Sequence, residues 1–272
     1  MNALVSPNLL ENLRAYSKPF NEHPPVIVTR FEGGANPLFP FTIDSDRGLG
    51  VLLLCAALYR PGGEAGAGRT VSALYEQLGN DVFKLNRLPV EILQKAVGSD
   101  GEEQKRIPGI LRSVCDFFYK TGSLSQWLAS DTDWEKCVNE LAAEIYWMGR
   151  HSQLRTKSRY FFWLASFQPE FVNRFPQAMR FFWPVGEGHL RLYHNILSPK
   201  TKQSLANPEK RLHVFSEITR EIFPDAPWTG FQPMDAYLRP EKEHEYICRK
   251  VQSGCNPCPL RKFCPAAKFF TE

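Results

Sequence analysis

The chain has 272 residues, 43% hydrophobic and 23% charged, with a formal net charge of +4. That length carries one large domain or two modest ones around a buried core. The composition is that of a globular protein, and the small positive charge by itself singles out no partner.

The N-terminal stretch MNALVSPNLLENLRAYSKPF lacks a basic start followed by an apolar run, so no secretory signal is expected. Residues 1–42 read as an N-terminal extension. RGLGVLLLCAALY, bounded by turn formers, fits a strand or a buried helix, and its length favours a helix. Its apolar part is too short to span a bilayer. YRPGGEAGAGR follows as a glycine-rich loop, then TVSALYEQLG as a short helix stopped by Gly79. Asp100 to Gln104 reads as a polar surface turn. IPGILRSVCDFFYKTG spaces Ile110, Val114, Phe117 and Phe118 along one helical stripe and ends at Gly122. TDWEKCVNELAAEIYWMG opens with a capping box from Thr132 to Glu135 and carries Trp134, Val138, Leu141 and Ile145 on one face. TKSRYFFWLASF is a helix with Thr156 as its cap. NPEKRLHVFSEITREIF starts with Asn207 as cap and Pro208 at the first helical position. Sustained alternation and internal repeats are absent, so the expected class is all-α. Cys55, Cys115 and Cys137 fall in apolar helical patterns and read as core thiols.

Charge is distributed unevenly. Between Glu144 and Glu170 there is no acid, but there are Arg150, Arg155, Lys157 and Arg159. Between Glu245 and Glu272 there is again none, but there are Arg249, Lys250, Arg261, Lys262 and Lys268. Two basic, aromatic-bearing segments of this kind fit a surface that follows phosphates, or two solvated faces.

Four of the seven cysteines, Cys248, Cys255, Cys258 and Cys264, crowd into seventeen positions with the spacing C-x6-C-x2-C-x5-C. In a reducing cytoplasm, which the missing signal suggests, such a cluster points to metal rather than disulfides. Structural zinc sites usually pair two C-x2-C knuckles, whereas four thiolates on one compact loop suit a [4Fe–4S] cluster; zinc stays as the alternative.

This cysteine pattern resembles the cluster loop of the iron–sulfur DNA glycosylases of the helix-hairpin-helix superfamily, the endonuclease III and adenine glycosylase group. The resemblance implies a two-lobed helical fold, with a helical core over residues 43–247 and the cluster loop and tail over 248–272. It further implies a monomer acting on double-stranded DNA, with a structural cluster that positions Arg249, Lys250, Arg261 and Lys262 on the backbone. Arg150, Arg155 and Arg159 are expected as further phosphate contacts. TKSRYFFWLASF aligns with the family segment that carries the lysine nucleophile, and Lys157 takes that position; the other reading, which the neighbouring Arg155 and Arg159 favour, is one more phosphate contact. LLLCAALYRPGGEAG resembles the helix and loop that probe the base stack, making Tyr59 and Arg60 candidate wedge residues, with core packing the default reading for Tyr59. VGEGHLRLYHNIL aligns with the stretch that carries the family's aspartate. His189, His194 and Trp183 near it are candidates for a base pocket.

Two departures stand out. The family hairpin is Leu-Pro-Gly-Val-Gly, whereas MGRHSQLRTK here has a single glycine, Gly149. The aspartate position holds Gly186, and the next residue, Glu187, is the only acid between Glu170 and Glu209. Breaking an N-glycosidic bond needs a carboxylate, so Glu187 is the candidate. The expected function is thus a DNA N-glycosylase. Two alternatives are a non-catalytic DNA-binding descendant and an iron–sulfur nuclease. The nuclease would need an acid and a Glu-x-Lys on adjacent strands, and Glu103-Gln104-Lys105 matches that string.

Overall fold

The structure is a computed structural model that describes residues 5–21, 46–59, 101–130, 133–152, 154–165, 186–197, 207–224, 258, 260–262, 264 and 267. Among these residues the secondary structure is entirely helical: α1 Pro7–Asn21, α2 Asp46–Leu58, α3 Gly101–Thr121, α4 Leu124–Ser130, α5 Trp134–Glu144, α6 Thr156–Ala165, α7 Glu187–Ile196 and α8 Pro208–Ile222. The all-α expectation holds for them. Arg60, the glycine-rich loop, the short helix before Gly79, Trp183, Cys248, Arg249, Lys250 and Cys255 lie outside the described residues. The chain forms two compact units, one from residues 25–178 and one that joins both chain ends, 1–24 and 179–272.

In the unit of residues 25–178, α2 is the central element. Gly48 to Ala57 are all buried, so over that span this helix has no solvent face. A helix apolar on every side must be covered on every side, and α3, α4 and α6 pack against it. Asp46, its first residue, reaches the start of α4, where its carboxylate accepts from Ser125 N–H (2.9 Å) and the Ser123 hydroxyl (3.0 Å). Burial opposes ionisation of Asp46, but these hydrogen bonds outweigh it and hold the carboxyl below the usual carboxylate range.

The stripe expected on α3 is present: Ile110, Val114, Phe117 and Phe118 are buried, joined by Ile107, Leu111 and Cys115. Its end at Gly122 is also as expected, because that residue has φ +70° and its N–H donates to Phe118 O at 2.9 Å. The start is corrected: the helix begins at Gly101, so residues 101–104 are helical rather than a turn. On α5, Val138, Leu141 and Ile145 are buried as expected, but the cap is Asp133, not Thr132; its side chain accepts from Glu135 and Lys136 N–H. Thr156 is likewise the first residue of α6 rather than its cap, since Arg155 O accepts from Arg159 N–H. Cys55, Cys115 and Cys137 are buried thiols.

In the other unit α1 packs on α8. Leu9 and Leu13 are buried on α1, and Phe215, Ile218 and Ile222 on α8. Arg14 donates to the last carbonyls of α8, Ile222 O at 2.7 Å and Glu221 O at 2.8 Å, which places a cation at the negative end of that helix. Tyr193 of α7 meets Phe215 edge to face at 5.0 Å.

The tightest joint in the larger unit is Gly50 of α2 against Phe118 of α3. A Cβ at Gly50 would stand 2.4 Å from Phe118 Cζ. Gly50→Ala therefore sets overpacking of about 1–3 kcal/mol against a helix-propensity gain of about 1 kcal/mol. A lowered melting temperature is expected from thermal unfolding followed by circular dichroism, where an ordinary exposed helical glycine would give a rise.

Candidate functional site

The basic segment of the larger unit folds as a helix–turn–helix, with α5 and α6 joined by residues 145–155. Two successive turns build the connection, through Met148 N–H to Ile145 O (3.2 Å) and Ser152 N–H to Gly149 O (2.9 Å). Three residues adopt positive φ: Trp147 at +71°, Gly149 at +99° and Arg155 at +49°. Only at Gly149 is that free of cost.

The cations of this segment divide into those that hold the fold and those that face solvent. Arg155 turns back on the loop: its guanidinium donates to the carbonyls of Gly149, Arg150 and Ser152 and to Asn139 Oδ1. Arg159 corrects the phosphate expectation outright. Its side chain is 3% exposed and forks onto both carboxylate oxygens of Glu135 at 2.7 Å, with Leu154 O as a further acceptor. Arg150 is exposed.

Lys157 is half-buried. Its ammonium donates to Ala57 O at 2.6 Å, near the C-terminus of α2, where a helix leaves carbonyls unsatisfied and favours a cation. Tyr59, the expected wedge, is wholly buried and stacks on Tyr160 with ring centroids 3.9 Å apart. Tyr160 in turn stacks on Trp163 at 5.4 Å. Tyr59 is thus a core aromatic, the default of its two readings, and not a wedge. Glu103 and Lys105 lie on helix α3 and not on strands, which removes the arrangement a nuclease would need.

In the unit of the chain ends, Glu187 is the first residue of α7, directly after Gly186 as N-cap. The dipole of a helix favours negative charge at that position. His189, one turn on, is fully buried, and its Nδ1 accepts from Gly186 N–H at 3.1 Å, so Nε2 carries the proton. It ties the start of α7 to the residue before Glu187. His194 is exposed.

Of the cysteine loop, Cys258 and Cys264 are described, both as half-buried thiols. Arg261 N–H donates to Cys258 O (3.1 Å), Cys264 N–H to Leu260 O (2.9 Å) and Ala267 N–H to Cys264 O (3.0 Å). Leu260, between the two cysteines, is buried and anchors the winding chain. Two soft donors on consecutive turns fit a thiolate-bound metal group. Among the described residues no set of three His, Cys, Asp or Glu side chains converges on one point. Arg261 is half-buried and Lys262 exposed.

Sequence reasoning missed Glu135 as the partner of Arg159 and Asn139 as a partner of Arg155. No sequence signal pointed to either partner; the burial of Ser158 to Ala165, which requires an anion to meet Arg159, becomes visible only in the fold. The chain matches no family model, no curated protein and no solved structure. No described helix is long and apolar enough to cross a membrane.

Burial pushes the His189 imidazole down to about 3. Its pKa in the unfolded chain is about 6.5, so the unfolded state alone gains a proton as pH falls below that value. Stability is unaffected by His189 above pH 6.5 and falls by up to about 1.4 kcal/mol per pH unit between there and pH 3. His189→Asn, whose carbonyl can accept from Gly186 N–H, is expected to flatten the melting temperature against pH across that window relative to the native chain.

Proposed function

We propose that this chain is a DNA-binding iron–sulfur protein that releases a flipped, damaged or modified base from duplex DNA. The observation that carries the reading is the C-x6-C-x2-C-x5-C spacing of Cys248, Cys255, Cys258 and Cys264. These four thiolates would hold a [4Fe–4S] cluster, which would rigidify the loop and so lower the ordering cost of phosphate contacts by its basic residues. Lys262, exposed on that loop, and Arg150, exposed in the other unit, remain suited to the DNA backbone, with Arg261, Arg249 and Lys250 beside the cysteines.

In the reaction, the bond between C1′ of the sugar and the base nitrogen breaks, the base leaves with a proton, and water adds at C1′. Positive charge grows on the sugar as the bond breaks, and a carboxylate stabilises it. Glu187 takes that role. Its position at the first turn of α7, where a helix favours negative charge, supports that role. The hydrogen bond from Lys157 to Ala57 O favours hydrolysis without an attack by the lysine amine.

Purified protein is expected to be brown and to carry about four irons per chain, with iron and solubility falling together in Cys255→Ser. Stoichiometric zinc without iron after anaerobic preparation would refute the cluster.

Base release is tested with a panel of duplexes, each with one lesion or modified base. Glu187→Gln should keep duplex affinity and lose about 10²–10⁴-fold in release. Lys157→Ala should lower thermal stability and leave base release intact; loss of strand nicking alone would restore the lysine as nucleophile. A native chain that binds every duplex and releases nothing is the non-catalytic descendant.

A further inference from the structure

Tyr146 and Trp147 stand at the turn after α5, 47% and 45% exposed. They are held there on three sides. Tyr146 N–H donates to the Ser113 hydroxyl at 2.9 Å, which itself donates to Ile110 O at 2.8 Å on α3. The Tyr146 ring lies on the backbone of Gly109, where a Cβ would come within 3.3 Å of Tyr146 Cδ1. The Arg106 guanidinium sits 4.2 Å from the centroid of the Trp147 ring.

The backbone of Trp147 is left-handed, at φ +71°, a conformation that is unfavourable for a bulky side chain. Glycine would fit the turn without strain, yet the position carries the largest of side chains and presents it to water. Burial does not repay this, since the ring keeps nearly half its exposure. Strain of this kind with a solvent-facing aromatic points to a ligand that uses the ring.

The surroundings specify that ligand. Lys105 and Arg106 come from α3, which also carries Glu102 and Glu103 just before them, and Arg150 and His151 come from the same loop as the rings, with no acid from Ile145 to Pro169. Glu144, the acid just before, is paired with Lys120 at 2.7 Å. Flat aromatic faces set among cations match a polyanion that carries flat bases.

We infer that Tyr146 and Trp147 form a stacking platform for unpaired bases of single-stranded DNA, with Arg106 and Arg150 on its phosphates. This platform presupposes the DNA-binding reading above and adds a second, strand-selective surface to it.

The test compares a labelled short oligothymidine, an all-abasic strand of equal length and a duplex by fluorescence anisotropy. The abasic strand keeps the phosphates and removes the stacking. The native chain should bind oligothymidine about tenfold more tightly than the abasic strand. Trp147→Gly suits the left-handed backbone and should melt no lower than the native chain by more than a few degrees. It should lose most of the preference for bases while duplex and abasic affinities stay within about twofold. Tyr146→Ala should act in the same direction. A preference for bases that survives in the double variant overturns the platform and leaves duplex binding standing. Tighter binding of oligouridine than of oligothymidine overturns the assignment to DNA. Failure of the native chain to bind any of the strands at low salt overturns the platform and the DNA-binding reading together.

Discussion

The organisation of the larger unit follows from one constraint: α2 has no polar face. A helix that is apolar all round finds no resting place at a surface, so neighbours must close over it from every direction. α3 does so with its buried stripe, closely enough that Gly50 meets Phe118 with no room for a side chain. α6 does so with an unbroken buried run from Ser158 to Ala165. The ends of α2 are then polar atoms in a crowded place, and each is answered. Asp46 bonds to the start of α4, and Lys157 bonds to Ala57 O. The lysine that the alignment offers as a nucleophile is thus explained first by the burial of the helix it touches.

The same constraint divides the basic segment. A helix buried on all sides can carry a cation only with an anion to meet it, and Arg159 on Glu135 satisfies this. Arg155 is consumed by the carbonyls of the turn that delivers α6. Of the arginines from Arg150 to Arg159, Arg150 is left facing solvent. A run of positive charge in a sequence is therefore a poor measure of positive charge on a surface. Here much of it does internal work.

What could be read from the sequence tracks how local each signal is. Stripes on α3 and α5, the stop at Gly122 and the helical state of α2 depend on neighbours a few positions apart, and they are legible. Boundaries are set by competition between adjacent side chains. Asp133 displaces Thr132 at the start of α5, and α3 extends back to Gly101 through residues whose polarity suggested a turn. The inward turn of Arg159 depends on Glu135, 24 positions away, and the burial of Tyr59 depends on Tyr160. Such pairings are decided by packing, and no spacing rule announces them. The cysteine motif is the opposite case. Its four positions are sequence-local, so its chemistry can be read where its three-dimensional arrangement cannot.

The join between α1 and α8 has a consequence for how the protein is made. Arg14 grips a carbonyl 208 positions further along the chain. During synthesis α1 leaves the ribosome before any of the larger unit does, and its partner follows only after that unit is complete. The larger unit is contiguous and is able to fold while translation continues; the unit of the two ends waits for its last helix. Until then the apolar side of α1, with Leu9 and Leu13, has no native cover. The cysteines from Cys248 onward emerge after α8.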